Sequence, residues 1–200
     1  MDVQVLSLTT PGPQNLPPAE ALALQPLVND RIAEIVHVDP DHFQGLASLA
    51  TACPDAAAAE LERAVRTRGL DGAMLYGRTD STGLDDPNLD PLWATAEELN
   101  VPLHLHLHPQ SPPPAVRDAY YDGFSPSVSN GLATHGIGWH YDAGVQFLRL
   151  VLSGVLDRHS GLRIVLGHWN ELVLIYLERV AHIAAIAPHT GEQLRAGIRR

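Results

Sequence analysis

Short apolar runs alternate along this chain with longer stretches whose apolar residues recur at helical spacing. Residues 3–8, VQVLSL, read as a strand that ends at the loop TTPGP. Residues 19–38 have helical spacing, with Leu22, Leu27, Ile32 and Ile35 available for a buried face. Pro26 is expected to kink or divide that helix. Residues 42–50, HFQGLASLA, form a second predicted strand, and PDAAAAELERAV from Pro54 a helix with proline at its start and Gly69 as its stop. GAMLYG (72–77) is a third strand, followed by the loop RTDSTGLDDPNLD and a helix over 91–99. VPLHLHLH (101–108) is the fourth strand. A proline-rich connection follows, then a helix over 141–156, a fifth strand LRIVLGH (162–168) and a helical stretch over 169–186.

Strand and helix alternating in this way imply βα units and a parallel sheet, either doubly wound or part of a (β/α)8 barrel. Five strands in 200 residues fall short of a closed barrel, which typically needs about 250 residues. The length suits one domain over residues 1–200.

Composition removes several function classes. The net charge of −10 argues against nucleic acid or an anionic membrane as the main partner. All thirteen basic residues are arginine, so neither a lysine Schiff base nor a P-loop lysine is available within these residues. Cys53 is the single cysteine, which excludes an intrachain disulfide and suits a reducing, cytoplasmic compartment. No run of about eighteen apolar residues offers a membrane span.

The run LHLHLHP carries the strongest chemical signal. Side chains alternate across a strand, so His104, His106 and His108 project from one face while leucines occupy the other. Imidazole is the commonest transition-metal ligand, and the end of a strand is where βα loops build barrel active sites. The alternative is that His104 and His106 are half-buried spacers or hydrogen-bonded core residues. LGHWNE repeats the signal: His168 follows a glycine at a strand end and suits a ligand or a general acid–base. Glu171, three residues on, either orients His168 or caps the next helix. Arg78, just past the third strand, is a candidate for gripping a carboxylate, with an ordinary surface loop as the alternative. Trp139, His140 and Asp142 lie at a helix start, where Asp142 needs no role beyond favouring the helix dipole.

The succession MDVQVLSLTTPGPQ, HFQGLASLATACPDAAAAELERAV, GAMLYGRTDSTGLDDPNLDPLWATAEELNVPLHLHLHP and FLRLVLSGVLDRHSGLRIVLGHWNELVLIYLERV resembles the amidohydrolase-2 branch of the metal-dependent amidohydrolases. The nearest likeness is to non-oxidative decarboxylases of the γ-resorcylate and 2,3-dihydroxybenzoate type. The resemblance implies a (β/α)8 barrel with one divalent metal, zinc or manganese, at its C-terminal rim. In such enzymes a Glu-x-His pair on the first strand, a His-Pro histidine on a middle strand and an aspartate on the last strand hold the metal. A Gly-His histidine with a nearby glutamate moves the proton. By that likeness His108, ahead of Pro109, is the metal ligand, and a two-residue shift would substitute His106. His168 and Glu171 take the proton-transfer roles. Asn170 stands where the family commonly has glycine.

No Glu-x-His pair precedes the first strand, and no later strand offers the last aspartate. The chain therefore reads as an incomplete (β/α)8 barrel of about five parallel strands, lacking the first strand and the last ones. Open sheet edges would favour association into a homo-oligomer. The expected activity is decarboxylation of a small hydroxylated aromatic carboxylic acid, impaired in this polypeptide. The competing expectations are metal-dependent hydrolysis of a lactone or amide, and an inactive barrel fragment.

Overall fold

A computed structural model describes residues 2–10, 12–106, 112–168 and 172–186. Its strands are β1 (Gln4–Leu6), β2 (Phe43–Ser48), β3 (Gly72–Leu75), β4 (Pro102–Leu105) and β5 (Arg163–Leu166). Between and after them lie α1 (Pro18–Val38), α2 (Pro54–Arg66), α3 (Asp90–Leu99), α4 (Pro114–Tyr120), α5 (Pro126–Gly131), α6 (Gly138–Leu152), α7 (Val155–Arg158) and α8 (Val173–Ile186). The sheet is wholly parallel, in the order β1-β2-β3-β4-β5. A doubly wound sheet reverses direction at a switch point. Strict sequential order is the arc of a barrel, so the barrel alternative holds and the doubly wound one falls.

The two faces of that arc differ. Ala47, Ala73, Leu75, Leu103 and Leu105 share one buried core with Ile32, Ala33 and Val36 of α1, Leu61 of α2, and Leu92, Trp93 and Ala96 of α3. On the other face the buried apolar cluster among the described residues is Leu46, Met74 and Tyr76. Strand spacing is tight enough that a Cβ on Gly72 would collide with the Pro102 carbonyl oxygen. Gly69 ends the α2 region at φ +72°, a left-handed position that favours glycine.

Pro26 lies inside α1 without dividing it. The expected buried face of α1 is corrected. Its buried stripe is Ala21, Gln25, Asn29, Ile32, Ala33 and Val36, whereas Leu22, Ile35 and above all Leu27 are exposed. Hydrogen bonding selects this face. The Ser48 and Ala50 amides donate to Asn29 Oδ1 (2.7 Å) and Gln25 Oε1 (2.9 Å), and Asn29 Nδ2 donates back to the Ser48 carbonyl at 3.0 Å. The helix thereby satisfies backbone groups of Ser48 and Ala50 where β2 ends. The proline-rich connection contains α4 and α5, each opening with proline at its first position. The next helix begins at Gly138, earlier than expected, and ends at Leu152. Among the described residues no helix is long and apolar enough to cross a membrane.

Candidate active site

Parallel register sets Ser48, Met74, His104 and Val165 in one row across β2 to β5. His104 therefore belongs to the face opposite the helix-covered core, and His106, two residues on, continues along it. The His106 amide extends the ladder by donating to the Leu75 carbonyl at 2.8 Å. From β5 the chain turns at Gly167, whose amide donates to the Leu105 carbonyl. His168 then adopts φ +38°, a left-handed backbone unfavourable for a side-chain-bearing residue and common where function holds it.

That turn brings His168 Nε2 to 3.4 Å from His106 Nε2, joining residues 62 positions apart. The two rings are edge-on, with centroids 5.1 Å apart. His140, from the first turn of α6, packs edge-on against the other side of His168, again at 5.1 Å. Its own Nε2 lies 3.2 Å from the His135 carbonyl, which fixes the proton on that nitrogen. His104 is 6.5 Å from His106 between ring centroids, and Tyr76 stands edge-on to His106 at 5.8 Å. Four imidazoles and a phenol thus form one continuous row at the carboxyl ends of β3, β4 and β5.

Electrostatics follow from that crowding. Burial, and then the neighbouring His140, lower the pKa of His168 below the usual histidine range. Burial and then His168 do the same to His104. Both rings favour the neutral form, which keeps a lone pair free for a proton or a cation. Burial pushes the Tyr76 phenol up to about 12, and its hydroxyl donates to the Leu8 carbonyl. Gln14 clamps the same strand end: its amide donates to the Gly77 and Arg78 carbonyls, while the Tyr76 amide donates to its carbonyl oxygen at 2.9 Å.

The sequence candidates distribute unevenly. His106 and His168 meet. His108 and Glu171 lie outside the described residues. Arg78 is half-buried, with Nε 3.4 Å from Asp142 Oδ1 and its guanidinium also donating to the Asp80 carbonyl. This corrects the expectation for Asp142, which acts as the ion-pair partner of a residue 64 positions away and not merely as a helix-start charge. His140 and Tyr76 were missed as site residues. Neither sits in a recognisable motif, and only the approach of α6 to the ends of β4 and β5 brings His140 in. Beside Arg78 and Asp142 opens a cavity of about 240 Å³, walled by prolines and by Tyr121, Trp139 and Tyr141.

The donor set suits a transition-metal ion in chemistry but is incomplete. At a Zn–N distance of about 2.0–2.1 Å, two nitrogens of a tetrahedral site lie roughly 3.3 Å apart, close to the His106–His168 separation. The same spacing also accommodates one ring donating an N–H to the lone pair of the other. Among the described residues no group of three or more His, Cys, Asp or Glu side chains converges to hold a metal. The described part of the chain supplies a pair of nitrogens and not a full shell.

A family model described as Amidohydrolase matches residues 6–192. The chain belongs to the amidohydrolase family. It is 36% identical over 195 residues to a gamma-resorcylate decarboxylase of Rhodococcus jostii, covering 91% of this chain and 56% of that protein. A putative amidohydrolase from Staphylococcus aureus superposes with a TM-score of 0.86 at 36% identity, over 90% of this chain and 59% of the other. A dihydroxybenzoic acid decarboxylase from Polaromonas, solved with manganese and the inhibitor 2-nitroresorcinol, gives 0.83 at 31% identity, over 94% and 56%. The chain spans about half the length of the curated relatives it matches. Five parallel strands alternating with helices are consistent with a partial (β/α)8 barrel of this family.

Proposed function

We propose that this chain forms the central part of a metal-dependent decarboxylase acting on a hydroxylated aromatic carboxylic acid. The observation that carries the reading is the meeting of His168 with His106 at the rim of the parallel strands, in a family whose similar members are decarboxylases. His106 and, by its His-Pro motif, His108 are the residues that would hold a divalent ion, manganese or zinc. When bound, such an ion polarises a substrate carboxylate and a neighbouring ring oxygen.

His168 transfers a proton from its imidazolium to the ring carbon that bears the carboxylate. The bond from that carbon to the carboxylate then breaks, carbon dioxide leaves, and the electron pair restores the aromatic ring. Ring hydroxyls make that carbon electron-rich enough to accept the proton. Burial and His140 lower the proton affinity of His168, which makes its imidazolium the stronger acid toward carbon. Glu171 is the companion that orients His168, and Arg78 the candidate grip on the acid.

The test is carbon dioxide release from 2,6-dihydroxybenzoate by manganese-supplied protein in D2O. One deuterium is expected at the carbon that lost the carboxylate, and His168→Ala should slow release by about 100-fold or more. Unchanged release in that variant, or ring opening of a lactone in place of decarboxylation, would overturn the reading.

A further inference from the structure

We propose that Gln14 is a positioning residue for the paired histidines: its side-chain amide ends the line of backbone hydrogen bonds that carries His106 and the turn into His168. The inference rests on the reading of these histidines as a decarboxylation site and adds to it a residue from the loop after β1.

The line is built from whole peptide units. The Gly167 amide, just before His168, donates to the Leu105 carbonyl at 3.2 Å. That carbonyl shares its peptide unit with the His106 amide, which donates to the Leu75 carbonyl at 2.8 Å. The Leu75 carbonyl in turn shares its peptide unit with the Tyr76 amide, which donates to Gln14 Oε1 at 2.9 Å. Gln14 is therefore the last acceptor of a line that ties the ends of β5, β4 and β3 together. Each peptide unit in it both accepts and donates, so every bond polarises the next.

A side chain stands at this end because the pairing of β2 with β3 runs from Leu46 and Gly72 to Ser48 and Met74. The backbone of residues 76–78 lies beyond that register and needs partners of its own. Gln14 takes the place of a strand there. Besides accepting from Tyr76, it donates to the Gly77 carbonyl at 2.9 Å and to the Arg78 carbonyl at 3.1 Å. It is 1% exposed, so water competes little for these bonds. Its loop is preset by a turn in which the Leu16 amide donates to the Pro13 carbonyl, and the Tyr76 hydroxyl pins the same loop at Leu8. The residues Gln14 holds reach both histidines. The Tyr76 ring stands edge-on to His106, and Arg78 meets Asp142 in the helix whose His140 packs on His168.

The experiment is residue-resolved amide hydrogen exchange of the whole protein, beside kcat and KM for carbon dioxide release from 2,6-dihydroxybenzoate by manganese-supplied protein. Gln14→Met keeps the bulk of the side chain and removes all three bonds. In that variant the amides of Tyr76, His106 and Gly167 should exchange at least about tenfold faster, while deeper amides of β3 and β4 stay within about twofold. kcat should fall about tenfold with KM within about twofold, because displaced reacting groups slow the chemistry and leave uniform binding intact. Leu61→Ala, in the helix-covered core, should lower the thermal midpoint and leave kcat unchanged well below it. In the wild type the three amides should open as one unit, with protection factors within about threefold of one another, which decides the line if Gln14→Met fails to fold. Unchanged exchange in the variant, acceleration spread evenly through the sheet, scattered opening in the wild type, or faster exchange with kcat intact would overturn the positioning role. Release that needs His168 with no response of the three amides removes Gln14 and leaves the decarboxylase reading. Amides that respond to Gln14 in a wild-type protein that releases no carbon dioxide keep the line and remove that reading.

Discussion

The two faces of one sheet carry opposite assignments. Toward the helices, Ala73, Leu75, Leu103 and Leu105 are all but fully buried and pack with Leu61, Leu92 and Trp93 in a continuous core. Toward the other side, Met74, Tyr76, His104, His106 and His168 combine a small apolar patch with a row of imidazoles. Because strand side chains alternate, neighbouring residues of β4 serve different ends: Leu103 and Leu105 hold the fold, His104 and His106 line the rim. A face of imidazoles contributes little burial. It persists because the leucine face stabilises the strands that carry it.

Substitutions on the two faces should therefore separate. Trp93→Ala on the helix-covered side should show the largest effect, a loss of about 3–5 kcal/mol, since it removes a fully buried indole and leaves a cavity. Urea unfolding at constant m-value measures it, and a loss under about 1 kcal/mol would erase the distinction between the faces. His104→Leu on the other face should change stability by no more than about 1 kcal/mol, because the ring is half-buried and its neighbours are imidazoles that favour neutrality. A large destabilisation there would show that the imidazole row is structural.

The smallest effect is a pH dependence with different windows. In the folded state His168 and His104 bind protons less readily than ordinary histidine, so the unfolded chain holds more protons as pH falls. Stability then rises with pH across the region just below the ordinary histidine value of 6.5 and is lost on acidification through it. Asp90, held down most by its hydrogen bond to His159 and also by Arg158, and Asp30, held down by Arg63 and Arg68, carry the same sign in a lower window, below 3.8. Thermal midpoints measured from pH 7 to pH 5 should fall, and the fall should shrink in His168→Ala. A flat profile in the wild type would contradict the crowding of the imidazoles.

How far the sequence reached depends on how local each cause is. Apolar runs, the alternation of strand and helix, Gly69 as a stop and the shared face of His104 and His106 are all read from neighbouring residues, and the structure agrees. The buried face of α1 is set by Asn29 and Gln25 meeting backbone groups of residues 48 and 50. No hydrophobic pattern announces that, and the apolar candidates Leu22 and Leu27 face outward. Gly-His and His-Pro dipeptides marked His168 and His108 as rim residues. His140 and Asp142 carried no such mark, because their roles arise only when the start of α6 meets His168 after β5 and Arg78 after β3, across 28 and 64 residues of chain respectively.

The claim that unites these points is that the imidazole face is a working metal-assisted site and not a gap in the core. Metal per chain tests it most directly, by elemental analysis after exhaustive dialysis of protein supplied with manganese or zinc. About one equivalent in the wild type, lost in His106→Ala while the thermal midpoint holds, is the expected result. Equal metal in both proteins, or none in either, would contradict it.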